Sequence, residues 1–208
     1  MNYKTVKNYA YEEMIERKSR FIGYCRPVKT QDEAISFINE IRAEHRQATH
    51  NVYAYVLRED NIMRYSDDGE PAGTAGLPVM EVIKKEGLTD VCVVVTRYFG
   101  GILLGAGGLV RAYGKSAKLA IDEAVRIEML NCSVYIVCCD YTDYGKIEFA
   151  IKGGGYILKD SSFEDNVHLT VAVKSGDEET FQKTIADISG GMARITPLGN
   201  EFVMKELD

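Results

Sequence analysis

The stretch from residue 91 to 110, VCVVVTRYFGGILLGAGGLV, narrows the folds open to this chain more than any other. Residues 91–96 are apolar or small on both sides of a two-residue repeat, so neither face is left for water and the segment predicts a central strand covered on both sides. It runs straight into Arg97, Tyr98, Phe99, Gly100 and Gly101, and a second glycine cluster, Gly105, Gly107 and Gly108, precedes a helix predicted over about 109–126. A chain built around this segment must lay structure on both sides of a sheet. Residues 99–110 are uncharged, but five of them are glycine, and they fall far short of the roughly 20 apolar residues of a membrane span. The opening MNYKTVKNYAYEEM has no apolar centre and carries acids early, which predicts no signal or transit peptide, a cytoplasmic location and no membrane partner.

With 208 residues the chain has room for one large domain or two small ones, and at 46% hydrophobic and 27% charged it has the mixture of a folded protein rather than a disordered one. Five cysteines, an odd number without a CxxC pair, predict reduced structural thiols; the adjacent Cys138 and Cys139 would point to opposite faces of a strand. Charge is unevenly spread. Residues 1–132 hold 18 Lys/Arg and 18 Asp/Glu, whereas residues 133–208 hold 7 and 13, so the net charge of −6 lies wholly in the last third and disfavours nucleic-acid binding there by bulk electrostatics.

The pattern before residue 132 predicts a helix over 31–45 behind the capping box Thr30–Gln31–Asp32–Glu33, and a strand over 51–58. A loop over 66–76 (SDDGEPAGTAG) and a helix with Pro78 in its first turn, ending by Gly87, precede the central strand. After Asn131 the pattern restarts. Strands at 133–139, 156–160 and 166–174, helices at 143–152 and behind a second capping box at 175–178, and closing strand at 193–196 and 201–205 give the order βαββαβ. The fold class is therefore α+β, with domains at 1–132 and 133–208 and the second ferredoxin-like.

Three groups of residues can carry chemistry. In the first, Arg97, the glycines Gly100, Gly101, Gly107 and Gly108, and a basic stripe of Arg111, Lys115 and Lys118 make an anion site at a helix start. The named phosphate loops fail, because Leu109 and Val110 stand where glycine would be needed, and the same glycines equally suit close packing of a strand-to-helix turn. The second group is Asp67, Asp68 and Glu70 around Gly69, which can hold Mg²⁺ or act as acid and base, or can simply be solvated. In the third group, His50 begins a strand where it can meet the acidic loop or Arg97. His45 sits at a helix end that favours a positive group, His168 faces solvent, and no spacing pairs any of them for a metal. For nucleic acid, Tyr98 and Phe99 beside Arg97, Arg111 and Lys115 are the stacking-plus-charge candidates, while the second domain would show only Tyr135 and His168 on an open face.

SDDGEPAGTAG followed by VVVTRYFGGILLGAGGLVRAYG resembles the two hallmark segments of the IMPACT family, the group that includes bacterial YigZ-type proteins, and the two-domain layout extends the likeness over essentially the whole chain. The resemblance implies a first domain with the α/β sandwich shared by a small-subunit ribosomal protein domain and GHMP kinases, and a ferredoxin-like second domain similar to one in elongation factor G. It places Asp67, Asp68, Gly69, Glu70, Pro71 and Gly73 in one family segment, and Arg97, Tyr98, Gly100, Gly101, Gly105, Gly107, Gly108, Arg111 and Tyr113 in the other. It also implies translation as a setting, since eukaryotic members are associated with translational control.

Three functions fit these residues. One is a non-catalytic binding protein that contacts the ribosome, RNA or a translation protein through the first domain, with no cofactor. Another is a Mg²⁺-dependent enzyme or sensor for a phosphorylated small molecule, gripped by Arg97 and the helix start at Leu109. The last is a pure protein–protein adaptor.

Overall fold

A computed structural model describes residues 1–207 of the chain. The chain divides into two compact units, Tyr3–Glu128 with the chain end from Glu206, and Met1–Asn2 with Met129–Lys205; the division falls between Glu128 and Met129.

The first unit holds β1 (Tyr3–Val6), β2 (Ala10–Glu16), β3 (Ser19–Pro27), α1 (Gln31–Glu44), β4 (His50–Val56), β5 (Met63–Ser66), α2 (Gly76–Lys85), β6 (Val91–Tyr98) and α3 (Ala106–Glu123). Strands β2-β3-β6-β4-β5 form one sheet in that order, every pair antiparallel. The central strand is β6, as its two apolar faces require. Val91, Val93 and Val95 face α2 and α3, packing with Val79, Ile83, Ala117 and Ile121. Cys92 and Val94 face α1, packing with Phe37, Ile38 and Ile41. Each fully buried valine contributes about 1.5–3 kcal/mol of transfer free energy, so this strand anchors both layers. α1 begins where the capping box puts it: Thr30 Oγ1 accepts from Glu33 N–H at 3.2 Å, and the Glu33 carboxylate reaches back to Lys29 N–H at 2.6 Å.

Two features depart from the pattern. The hairpin β2–β3 turns through Arg17 and Lys18, both at positive φ (46° and 65°), the geometry of a two-residue hairpin turn normally marked by Asn or Gly. And α3 starts at Ala106, not 109, so Gly107 and Gly108 lie inside its first turn rather than ahead of it. The helix packs so closely on β3 that a Cβ at Gly23 would lie 2.4 Å from the Ser116 carbonyl oxygen.

The second unit takes in most of β7 (Arg126–Cys139), then α4 (Tyr141–Gly153), β8 (Ile157–Phe163), β9 (Val167–Lys174), α5 (Glu178–Ser189) and β10 (Arg194–Glu206). β9 lies between β7 and β8, and β10 pairs with β7, which gives the ferredoxin-like arrangement expected of βαββαβ. The two closing strand segments are one strand. α5 starts two residues later than its capping box suggests: Asp177 is the N-cap position, without a side-chain cap bond, while Ser175 Oγ donates to Asn131 O at 3.1 Å. All five cysteines are free thiols, four of them buried. Among the described residues no helix is long and apolar enough to cross a membrane.

Candidate functional site

The acidic loop between β5 and α2 is shaped by its own carboxylates. Asp67 accepts from the N–H groups of Gly73, Ala75 and Gly76 at 2.9, 3.0 and 2.8 Å, which folds the loop back and caps α2, whose N-cap Ala75 has no side chain to do so. Asp68, at φ 47°, accepts from Asn51 N–H at 2.7 Å and from Arg42 Nη2 at 3.0 Å. With its two neighbours held, Glu70 turns inward.

There it meets the end of the sheet. The side chains of Arg97 and Glu70 are only 6% and 4% exposed, and Arg97 Nη1 donates to Glu70 Oε1 at 2.5 Å. Tyr113, from α3, donates its hydroxyl to the same oxygen at 2.8 Å. Burial first and the Glu70 charge second push the Tyr113 phenol up, so it stays a neutral donor. Arg97 Nη2 also reaches Ser19 Oγ at 3.4 Å, and the guanidinium lies 5.5 Å from the ring centres of Phe21 and Phe99. His50 stands opposite Arg97 across the β4–β6 ladder. Its Nδ1 is 2.7 Å from the carbonyl oxygen of Asp68, which can only accept, so Nδ1 carries the proton. Its Nε2 then looks across 3.8 Å at Glu70 Oε1.

These groups floor a cleft of about 400 Å³ whose walls are Thr49, Pro71, Phe99, Leu103, Leu104, Gly105, Ala106 and Leu109. Gly105, at φ 71°, is the N-cap of α3 and offers no side chain to cap the first helical N–H groups. Gly100 packs against the β2–β3 hairpin: its N–H donates to Ser19 Oγ at 3.2 Å, and a Cβ there would sit 2.0 Å from the Lys18 carbonyl.

On another side of α3 lies a smaller groove of about 220 Å³, lined by Met14, Glu16, Arg17, Leu104, Gly108, Arg111, Ala112 and Lys115. Among the described residues Arg17, Arg111 and Lys115 form no ion pair, whereas Arg20, Arg26, Arg42 and Arg126 of the same unit each hold an acid. Lys118, the third member of the expected stripe, is taken up by Asp122 at 2.5 Å and by Glu86 at 3.6 Å.

The surface expected from the sequence is thus split three ways. Arg97, Glu70 and His50 come together in the cleft, with Gly100 beside them. Gly108, Arg111 and Lys115 line the groove, and the Arg111 guanidinium lies over Gly107. Tyr98, the strand neighbour of Arg97, points to the opposite face, where its hydroxyl meets His45 Nδ1 at 2.8 Å. His45 is not the positive helix end expected: burial lowers its pKa, and Tyr24 hydroxyl holds its other nitrogen at 2.5 Å. The helix start where an anion grip was expected lies at Ala106, not at Leu109. The three loop carboxylates go to separate partners, and no group of three or more His, Cys, Asp or Glu is placed to hold a metal among the described residues. In the second unit Tyr135 lies under the helices, its ring 5.6 Å from that of Phe181, and not on an open face. Sequence reasoning does not reach Ser19 or Arg17, and it reaches Tyr113 only through the family resemblance. Tyr113 reads as one more core position of an amphipathic helix, and the other two lie in a hairpin without a turn signature.

A family model described as the Impact N-terminal domain matches residues 17–121, and one described as a domain of unknown function, DUF1949, matches residues 137–192. The Bacillus subtilis (strain 168) protein named IMPACT family member YvyE is 42% identical over 195 residues, 93% of this chain and 90% of its own. Its Escherichia coli (strain K12) counterpart, IMPACT family member YigZ, is 34% identical over 182 residues, 86% of this chain and 89% of its own. A crystal structure described as that of a hypothetical protein superposes with a TM-score of 0.60 at 30% identity, covering 96% of this chain and 98% of that one.

Proposed function

The chain belongs to the IMPACT family, and from that premise we propose that it is a translation-associated binding protein whose first unit contacts RNA, as on the ribosome, through the groove between the β2–β3 hairpin and α3. The observation that carries the reading is the convergence of Arg17, Arg111 and Lys115, three cations without ion-pair partners among the described residues, on one concave surface. Residues 1–132 have no net charge, and with three cations against Glu16 on its lining the groove is locally positive and supplies the field a phosphate backbone needs. The stacking expected of Tyr98 is not available to the groove, since that side chain is turned to the opposite face of the sheet; the groove reads backbone, not bases. Translation as the setting rests on the association of the family's eukaryotic members with translational control. The acidic second unit serves a protein partner in this reading.

Co-sedimentation with ribosomes and anisotropy of a labelled single-stranded RNA, each across a salt series, test it. Three phosphate contacts give a slope of log affinity against log salt of about −2, and Arg111→Glu/Lys115→Glu lowers binding by more than tenfold. Lys118→Glu, at a cation already paired, serves as the control and leaves binding within about twofold. Binding indifferent to salt, or equal in the double variant, defeats the proposal.

A further inference from the structure

The cleft over Glu70 and Arg97 has a chemistry the groove does not share, and it is independent of RNA binding. Its walls are apolar, and its two charges are already spent on each other: Arg97 Nη1 and Glu70 Oε1 are 2.5 Å apart and both side chains are buried. A further charge entering this cleft would lose its hydration and find no free counter-charge on the floor. Two polar demands remain: Arg97 Nε is buried without a hydrogen-bond partner among the described residues, and the other lies at His50. Because Nδ1 of His50 donates to the Asp68 carbonyl, a neutral His50 turns an acceptor at Nε2 towards Glu70 Oε1, 3.8 Å away and too far for a hydrogen bond. Two acceptors face each other with no donor between them.

We propose that the cleft is a binding site for a small apolar molecule bearing one neutral hydrogen-bond donor, an alcohol above all, with the donor placed between His50 Nε2 and the Glu70 carboxylate. The apolar body lies along Phe99, Leu103, Leu104 and Leu109, and about 400 Å³ accommodates a body of phenyl-alkyl size. Leu103 is 81% exposed and Phe99 45% exposed, large apolar side chains held in water at the mouth where such a body would cover them.

The test is titration of the ¹⁵N-labelled full chain with four probes of one shape: 2-phenylethanol, propylbenzene, 2-phenylethylamine and phenylacetate. Expected is saturable, millimolar binding of 2-phenylethanol that shifts the amides of His50, Gly105 and Ala106, at least threefold tighter than propylbenzene and tighter than either ion. Leu103→Asp, at an exposed position that the fold does not need, weakens all binding at least fivefold with an unchanged melting temperature. His50→Asn, which keeps a donor for the Asp68 carbonyl but removes Nε2, erases the preference for the alcohol and leaves propylbenzene binding in place. Tightest binding of phenylacetate would reassign the cleft to anions at the α3 start, and tightest binding of the amine would reassign it to cations at Glu70. Equal binding of alcohol and hydrocarbon, retention of the preference in His50→Asn, or no shift at any of the three amides up to the solubility limit would overturn the proposal outright.

Discussion

The cleft and the groove share Leu104 and draw on the same first turns of α3, yet they treat charge in opposite ways. In the cleft Arg97 is buried and held by Glu70, with Tyr113 and Ser19 as further partners; in the groove Arg111 and Lys115 stand open without any. The cause is helical geometry. Side chains advance about 100° per residue, so Ala106 and Leu109 face the cleft, Gly108, Arg111, Ala112 and Lys115 face the groove, and Tyr113 goes under the helix into the core. One glycine-rich segment therefore supplies two surfaces. The contrast teaches that a run of basic residues in such a segment is not one site: Arg97 on the strand is internalised and becomes structural, Arg111 and Lys115 on the helix stay available, and Lys118 further along is taken up by surface acids.

Removing the acid from the internal pair tests that distinction most severely. Glu70→Ala leaves the Arg97 guanidinium buried without a counter-charge, and the expected loss is about 3–5 kcal/mol in urea unfolding. Arg111→Ala, by contrast, removes an exposed cation with no partner and is expected to stay within about 0.5 kcal/mol of the parent. Equal losses in the two variants would erase the difference between the regions. Gly100→Ala comes next. Its Cβ would meet the Lys18 carbonyl at 2.0 Å, so the β2–β3 hairpin has to shift, at a cost of about 1–3 kcal/mol. Because Arg17 belongs to that hairpin, this variant also moves one wall of the groove. Tyr113→Phe is milder: it deletes one hydroxyl donor to Glu70 and keeps the ring against Phe21, for an expected loss of about 1–2 kcal/mol, and a value near zero would show that Arg97 alone satisfies the carboxylate.

Most of this frame was legible before any coordinates. The run at 91–96, without a charge on either face, reads as a covered central strand, and β6 is one; the βαββαβ order expected after Asn131 is the order of the second unit, although β7 already begins at Arg126. The β2–β3 hairpin was hidden because β2 is an edge strand carrying Glu12, Glu13 and Glu16, and its turn uses Arg17 and Lys18 where glycine would have announced it. The start of α3 was misplaced because Gly107 and Gly108 oppose helix by propensity, a preference that tertiary packing of the helix overrides. The sequence left Glu70 open between a metal ligand, an acid or base and a solvated loop acid, and none of these is a buried partner of Arg97. Only its neighbours' bonds, Asp67 to three backbone N–H groups and Asp68 to Asn51 and Arg42, turn it inward, and those partners lie far off in sequence.

The opposite face of the sheet sharpens the rule with a smaller effect. There His45 is half-buried between the hydroxyls of Tyr24 and Tyr98, with Glu44 Oε1 3.7 Å from Nε2 and Arg20 as the nearby cation. Desolvation is the largest influence and lowers its pKa, with Glu44 opposing and Arg20 reinforcing. An imidazole harder to protonate in the folded chain than in the unfolded one leaves the unfolded state holding more protons on the acid side. Its contribution to stability is therefore complete above the ordinary imidazole value near 6.5, and it declines as pH falls through that value towards the lowered one. Urea unfolding of the parent and of His45→Gln between pH 8 and pH 5 isolates the effect, because the carboxylates titrate alike in both. The parent should lose stability relative to the variant across this window. A parent that gains instead would mean that Glu44 outweighs burial and holds His45 charged, and that a cation on this face, like Arg97 on the other, is kept by its acid.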